Sequence, residues 1–158
     1  MYIEEQYLSL LKDILENGVR KENRTGVDTL SVFGVQIRHK MEDGFPLLTT
    51  RKIHFKSIAT ELMWFLKGRT DLRYLLENGC RIWTGDAYKV YEQTHMWELD
   101  NDYVDVEEFE RLVLEDDDFS SLWGELGPIY GAQWRNWKVE EDTSYDGKYV
   151  WVDQIKNL

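Results

Sequence analysis

The sequence is poor in cysteine, proline and histidine, and each shortage argues against a class of protein or site. Its one cysteine, Cys80, cannot form an internal disulfide or a multi-cysteine metal site, and a single cysteine suits a reducing compartment. The three histidines follow no metal-ligand spacing, so we expect no metal site. Two prolines and 11 glycines among 158 residues disfavour disorder and collagen-like repeats.

Long apolar runs are also missing, and we expect no secretory leader. No run approaches the roughly 18 to 20 consecutive apolar residues that a membrane span needs. The N-terminus, MYIEEQYLSLLKD, is acidic where a signal peptide is basic and then apolar. We therefore expect a cytoplasmic protein without membrane contact.

Acidic charge is concentrated in one segment. The net charge is −11, and residues 98–118 hold eleven acidic residues and one arginine, which accounts for −10 of it. The remainder of the chain is nearly neutral. This distribution argues against binding to DNA or another extended polyanion, and it leaves room for a small basic pocket elsewhere.

The first third of the chain has clear periodic patterns. Hydrophobic residues make up 42% of the sequence and aromatic residues 14%, which is typical of a globular domain with its own core. Apolar residues recur at helical spacing over residues 2–17, and Gly18 follows as a stop signal. After a polar loop at 19–29, alternation predicts a strand from Leu30 to His39 with a bulge near Gly34.

Two further helices are predicted next, and the pattern then loosens. One helix runs from about His54 to Lys67, and a short one follows Thr70 and stops at Gly79. The region 84–123 mixes aromatic and acidic residues, with possible helices near 86–93 and 105–115. We interpret it as an acidic insertion lobe between a helix–strand–helix part, 1–83, and a shorter return segment, 124–158.

The return segment is turn-rich and aromatic. It contains GELGPIYGAQWRNW at 124–137 and a plausible short strand within 146–152. One long strand with so few partners leaves backbone groups unpaired, and even a two-stranded hairpin is marginal alone. We therefore expect that the chain is the front part of a larger fold or obtains its sheet by association with another chain.

Two charged residues are candidates for chemistry. Glu61 lies beside an apolar helical stripe, and a partly desolvated carboxylate suits a proton-transfer group; the alternative is a rim glutamate paired with a base. Arg24, in the loop ENRTG, is a candidate anion clamp, although exposed loop arginines are common.

Other candidates are basic or aromatic. Basic residues cluster at 51–56, where a helix is expected to begin, which suits an anion or is simply a solvated turn. Trp83 is able to stack on a flat ligand ring, and Tyr130 and Trp134 lie among glycines; packing is the commoner role for all three. No histidine lies near Cys80 in sequence as a base, so a nucleophilic Cys80 is disfavoured.

Six motifs together are more specific than any one of them. In chain order they are ENRTG, LSVFGVQIR, DGFPLLTTRKIHFKS, ELMWFLKG, ENGCRIW and GELGPIYGAQWRNW. This ordered set closely resembles the N-terminal half of thymidylate synthase, over about 2–83 and 124–155. The resemblance implies an α+β fold with helices packed on a mixed β-sheet, which is incomplete in this chain, and an acidic insertion in the small domain.

The same resemblance implies a reaction and a set of roles. The reaction is reductive methylation of deoxyuridylate (dUMP) with 5,10-methylenetetrahydrofolate as donor of both carbon and hydride, in a protein that is a homodimer or associates through its sheet. The implied roles are phosphate binding for Arg24, proton transfer for Glu61 with Tyr130, and folate binding for Arg51, His54, Ile82 and Trp83.

This sequence also departs from the family pattern. TGDAY follows Trp83, where many members have an acidic residue and a second tryptophan. The family nucleophile is a cysteine in a Pro-Cys-His context, which this sequence lacks, so we expect the chain alone to be inactive. The alternatives are a fragment of a pyrimidine deoxynucleotide hydroxymethylase and a non-catalytic partner or regulator of a full-length synthase.

Overall fold

A computed structural model describes residues 2–24, 26–97, 104–140 and 149–158. These residues form seven α-helices, a short 3₁₀ helix and two two-stranded antiparallel sheets, so the predicted α+β class is confirmed, with an incomplete sheet. The chain divides into two compact units, residues 1–53 and 54–158. In the described part of the chain, no helix has the length and apolar character required to cross a membrane.

The first unit contains one long helix and one small sheet. Helix α1 spans Ile3–Asn17, as its periodicity predicts, and packs against β2. The strands β1 (Val19–Lys21) and β2 (Thr29–Ser31) pair antiparallel. The predicted loop at 19–29 is therefore wrong for its first three residues, which form β1.

The predicted strand from Leu30 to His39 is also mostly wrong. Regular pairing ends at Ser31, and residues 32–40 form no strand with any other described residue. Gly34 has a φ of 66°, a left-handed value that turns the chain out of the extended direction. The Arg38 backbone is instead hydrogen-bonded to the side-chain amide of Gln6. Gln6 Nε2 donates to the Arg38 carbonyl oxygen at 2.8 Å, and Gln6 Oε1 accepts the Arg38 backbone N–H at 3.0 Å.

The second unit is helical and ends in a hairpin. Its elements are α2 (Phe55–Leu66), α3 (Leu72–Glu77), α4 (Thr84–Trp97), α5 (Val106–Glu115), α6 (Asp117–Trp123), α7 (Tyr130–Arg135), β3 (Trp137–Glu140) and β4 (Tyr149–Val152). Helices α2 to α5 and strand β4 agree with the predictions. Helices α6 and α7 were not predicted, and α7 lies in the stretch interpreted as turns.

One apolar core joins helices α2 to α5. Its buried members are Trp64, Leu72, Leu75, Leu76, Cys80, Ala87, Tyr91, Phe109 and Val113. The core thus includes residues from both sides of position 84. The predicted division into 1–83, 84–123 and 124–158 stays a prediction.

Part of the acidic segment has a structural role. The carboxylate of Asp105 accepts the Glu108 N–H at the start of α5, and that of Asp116 accepts the Phe119 N–H at the start of α6, both at 2.9 Å. Negative side chains at helix N-termini satisfy free N–H groups and interact favourably with the helix dipole. Residues 98–103 of this segment lie outside the described residues.

Asp71 has the same role at the start of α3 and carries an additional ion pair. Its carboxylate accepts the Tyr74 N–H at 3.0 Å and binds Arg69 through two contacts of 2.7 and 2.9 Å. Burial raises the pKa of Asp71, but the hydrogen bonds from Arg69 and from the Tyr74 N–H outweigh burial, so its pKa lies below the ordinary value. The charged form is therefore the one that stabilises this turn.

We expect Asp71→Ala to lower the free energy of unfolding by about 1 kcal/mol at neutral pH, because a helix cap is lost. Asp71→Asn keeps a capping oxygen but replaces the other oxygen by an NH2 group and loses the ion pair with Arg69, so its deficit is expected to be smaller than that of Asp71→Ala. When the pKa of a carboxyl group is lower in the folded state than in the unfolded state, its charged form stabilises the folded state. This stabilisation is fully present above the unfolded-state pKa and is lost as the pH falls through the folded-state pKa. The deficit of Asp71→Asn should therefore shrink below the ordinary value of 3.8. Urea unfolding at neutral and acidic pH measures both effects, and a deficit for Asp71→Asn that grows on acidification would contradict the argument.

Candidate active site

Glu61 lies on α2, the helix that also provides Trp64 to the core. Its side chain is half-buried, and Oε1 accepts the indole N–H of Trp83 at an Nε1–Oε1 distance of 2.8 Å. Lysine and arginine side chains of the described residues form no ion pair with Glu61 within 4.0 Å. The alternative of a rim glutamate paired with a base is therefore not supported within that part of the chain.

Trp83 lies in the turn that precedes α4 and contacts two other aromatic rings. Its ring centroid is 5.9 Å from that of Trp64 and 6.0 Å from that of Tyr130. Trp64 is fully buried, which fixes one side of the Trp83 ring. The turn follows Gly79, whose φ of 72° is left-handed and readily adopted by glycine.

Tyr130 is the first residue of α7, and its side chain is 51% exposed. The Tyr130 ring meets Phe65 edge-on at 5.4 Å, and Trp134 meets Phe65 at the same distance from the next turn of α7. The Tyr130 hydroxyl forms no hydrogen bond with another residue of the described ranges. It is therefore available to a ligand or to solvent.

Helix α7 reaches this position because Gly131 has no side chain. A Cβ atom at residue 131 would lie 2.4 Å from the carbonyl oxygen of Arg69. The backbone of α7 therefore contacts the turn at Gly68 and Arg69 directly. This contact places Tyr130 next to Phe65 and Trp83.

The structure thus brings together three of the predicted site residues, Glu61, Trp83 and Tyr130, from three separate segments. Ile82 adjoins Trp83 in the same turn and is 55% exposed. His54 is exposed at the N-terminal end of α2 and makes no side-chain capping bond there. Phe65 was not predicted as a site residue, although it lies four residues after Glu61 and hence on the same side of α2.

The remaining predicted site residues, Arg24 and Arg51, belong to the first unit. Both are exposed; Arg24 lies in the turn after β1, and Arg51 lies in a bend near the end of the unit. Neither forms an ion pair with another described residue. Both guanidinium groups are therefore available within this part of the chain to an anion.

Cys80 is not part of an accessible site. It is fully buried in the core, and its thiol lies 3.7 Å from the carbonyl oxygen of Ser57. A nucleophilic cysteine has to reach its substrate as a thiolate, in a partly exposed and electropositive environment. The burial of Cys80 is that of a structural residue.

Comparison with known proteins gives the family. A family model described as thymidylate synthase matches residues 5–158. The chain belongs to the thymidylate synthase family. This assignment confirms the resemblance inferred from the six motifs.

Two relatives within this family are similar along most of the chain. A thymidylate synthase of Malacoplasma penetrans (strain HF-2) is 42% identical over 153 residues, covering 97% of this chain and 47% of the relative. A thymidylate synthase of Mycoplasma mobile (strain ATCC 43663 / 163K / NCTC 11711) is 47% identical over 132 residues, covering 84% of this chain and 44% of the relative. This chain therefore spans less than half the length of these two relatives.

Proposed function

We propose that this chain supplies nucleotide-binding and folate-binding residues for thymidylate synthesis, the reductive methylation of dUMP to dTMP with 5,10-methylenetetrahydrofolate. One observation carries the proposal: Glu61, Trp83 and Tyr130 form a single cluster in a chain of this family. A carboxylate and a phenol beside aromatic rings suit proton transfer around a flat heterocycle.

The roles follow from the chemistry of each residue. Glu61 accepts and returns protons at the pyrimidine, and the half-exposed Tyr130 hydroxyl donates a hydrogen bond in the same space. Arg24 binds the nucleotide phosphate, since its exposed guanidinium is free of carboxylates in the described ranges.

The folate is proposed to lie against the open side of the cluster. When bound, it supplies the one-carbon unit and the hydride. Within the second unit the residues fit such a ligand, because Ile82 offers exposed apolar surface beside Trp83 and His54 is an exposed polar group suited to an acidic tail. Arg51, in the first unit, carries an exposed guanidinium suited to the same kind of acidic group.

The chain alone is proposed not to complete the reaction. Its one cysteine, Cys80, is buried against Ser57 and has no route to a substrate. The exposed apolar residues of β3 and β4 and the short β1–β2 pair support association with a further chain, as in a homodimer.

Nucleotide binding tests the phosphate role of Arg24. We expect the wild-type chain to bind dUMP, and Arg24→Ala to weaken binding about tenfold, equivalent to ~1.4 kcal/mol. Deoxyuridine, which lacks the phosphate, should bind both proteins equally. Isothermal titration calorimetry measures all four combinations.

Arg20→Ala is the matched control, because Arg20 is exposed in the same unit and already paired with Asp28. Its affinity for dUMP should equal that of the wild type. Equal losses in Arg20→Ala and Arg24→Ala would show general charge attraction instead of a phosphate site. No binding of dUMP by the wild type would reject the proposed function.

A further inference from the structure

The hydrogen bond between Trp83 and Glu61 joins two residues to which the family resemblance gives separate roles. The resemblance places Trp83 with the folate and Glu61 with proton transfer. In the structure the indole N–H of Trp83 donates a hydrogen bond to Glu61 Oε1 at 2.8 Å, and the two residues are 22 positions apart in the sequence. Trp83 therefore acts on the carboxylate directly.

The chemistry of this donor has a specific effect. An indole N–H donates one hydrogen bond and carries no charge, whereas a lysine or arginine would form an ion pair and offer several donors. A carboxylate has two oxygens, and Oε2 forms no hydrogen bond with any other residue in the described ranges. Trp83 thus holds one oxygen and leaves the other available to a ligand.

The indole is itself held firmly. Trp64, which is fully buried, lies on one side at a centroid distance of 5.9 Å, and Tyr130 meets the ring edge-on at 6.0 Å. The Trp64 indole N–H donates to the carbonyl oxygen of Asp71 at 3.0 Å, which ties this packing to the start of α3. A donor held by packing restricts the rotamers of its acceptor, as preorganised sites require.

We propose that Trp83 is the positioning residue for Glu61 and directs its free Oε2 toward a ring N–H or O–H of the ligand. This inference rests on the proposed function for the identity of that ligand, which is the pyrimidine nucleotide. The hydrogen bond itself does not depend on any ligand. The two ideas are therefore separable by experiment.

The first experiment measures the hydrogen bond without ligand. In the full chain labelled with ¹⁵N-tryptophan, one of the seven indole signals disappears in Trp83→Phe and is thereby assigned. We expect this N–H to exchange with solvent at least about tenfold faster in Glu61→Ala than in the wild type. Glu61→Gln keeps an acceptor oxygen and should preserve slow exchange.

The second experiment measures positioning through dUMP. Trp83→Phe keeps an aromatic ring against Trp64 and Tyr130 but removes the donor, so we expect about tenfold weaker binding, a factor that corresponds to ~1.4 kcal/mol. Trp151→Phe changes an indole on β4 that is 59% exposed and should bind as the wild type does.

The outcomes separate the two ideas. Equal exchange in Glu61→Ala and the wild type would overturn the positioning role, and so would unchanged dUMP affinity in Trp83→Phe. If the wild type fails to bind dUMP while the exchange result holds, the proposed function fails and the Trp83–Glu61 link remains. If Trp83→Phe does not fold, the relevant signal is the one indole N–H whose exchange accelerates in Glu61→Ala and not in Glu61→Gln; if no indole signal behaves in this way, the positioning role is overturned.

Discussion

Trp64→Ala is expected to lower the free energy of unfolding of the chain by about 3–5 kcal/mol. Trp64 is fully buried and contacts Phe65 and Trp83, and its N–H donates to the Asp71 carbonyl. Replacing a buried tryptophan by alanine costs about 3–5 kcal/mol, and whole domains have only about 5–15 kcal/mol of stability. Urea unfolding followed by far-UV circular dichroism, which does not depend on the lost fluorophore, measures the change.

Two other variants serve as controls for the Trp64→Ala measurement. Trp64→Phe keeps a ring but leaves the partly buried Asp71 carbonyl without its donor, which costs at most about 1–3 kcal/mol. Trp151→Ala removes an indole that is 59% exposed, and we expect a change below about 1 kcal/mol. If Trp64→Ala is as stable as Trp151→Ala, the core described for the second unit is incorrect.

The helices were the most predictable elements, because their signals are local. The apolar spacing of α1 and α2 is visible in the sequence, and two of the predicted stops, Gly68 and Gly79, have left-handed φ values of 67° and 72°. Helix α2 buries Trp64, whereas the apolar side of α1 is only partly covered. For α1 and α2 the pattern therefore contained most of the information needed, whereas it did not indicate α6 and α7.

Strands were less predictable because their partners are remote. The alternation from Leu30 to His39 satisfies a strand pattern, yet pairing is limited to Thr29–Ser31 by the three-residue β1. Gly34, which the sequence suggested as a bulge, turns the chain instead. Side-chain alternation predicts which side chains lie on the same face of a strand. Strand pairing also requires a second strand, which the alternation pattern does not identify.

The contacts within the cluster of Glu61, Trp83 and Tyr130 were not predictable from the sequence, and the roles of these residues stay predictions. Glu61, Trp83 and Tyr130 follow from the motifs, but the Trp83–Glu61 bond depends on how the turn between α3 and α4 returns to α2. Helix α7 was not predicted because glycine is common in turns, whereas Gly131 allows α7 to pack closely against the Arg69 backbone. Single-residue propensity does not distinguish these two uses of glycine.

That role of Gly131 gives the second large effect, and we expect Gly131→Ala to destabilise the chain by up to about 2 kcal/mol. The new Cβ would meet the Arg69 carbonyl oxygen at 2.4 Å and the Arg69 nitrogen at 3.2 Å, and these are backbone atoms that cannot rotate away. Overpacking of this kind costs about 1–3 kcal/mol and occasionally more, whereas the gain in helix propensity from glycine to alanine is only about 1 kcal/mol. The clash therefore outweighs the gain.

Gly85→Ala is the matched control for this argument, because Gly85 is also helical and a Cβ there meets nothing within 4 Å. Its stability should equal or slightly exceed that of the wild type. Since α7 carries Tyr130, displacement of α7 in Gly131→Ala should also weaken the near-UV circular dichroism of the Trp83–Tyr130 contact. Equal melting temperatures for the two variants would mean that α7 does not pack against the Gly68–Arg69 turn, and the position of Tyr130 in the candidate site would lose its structural basis.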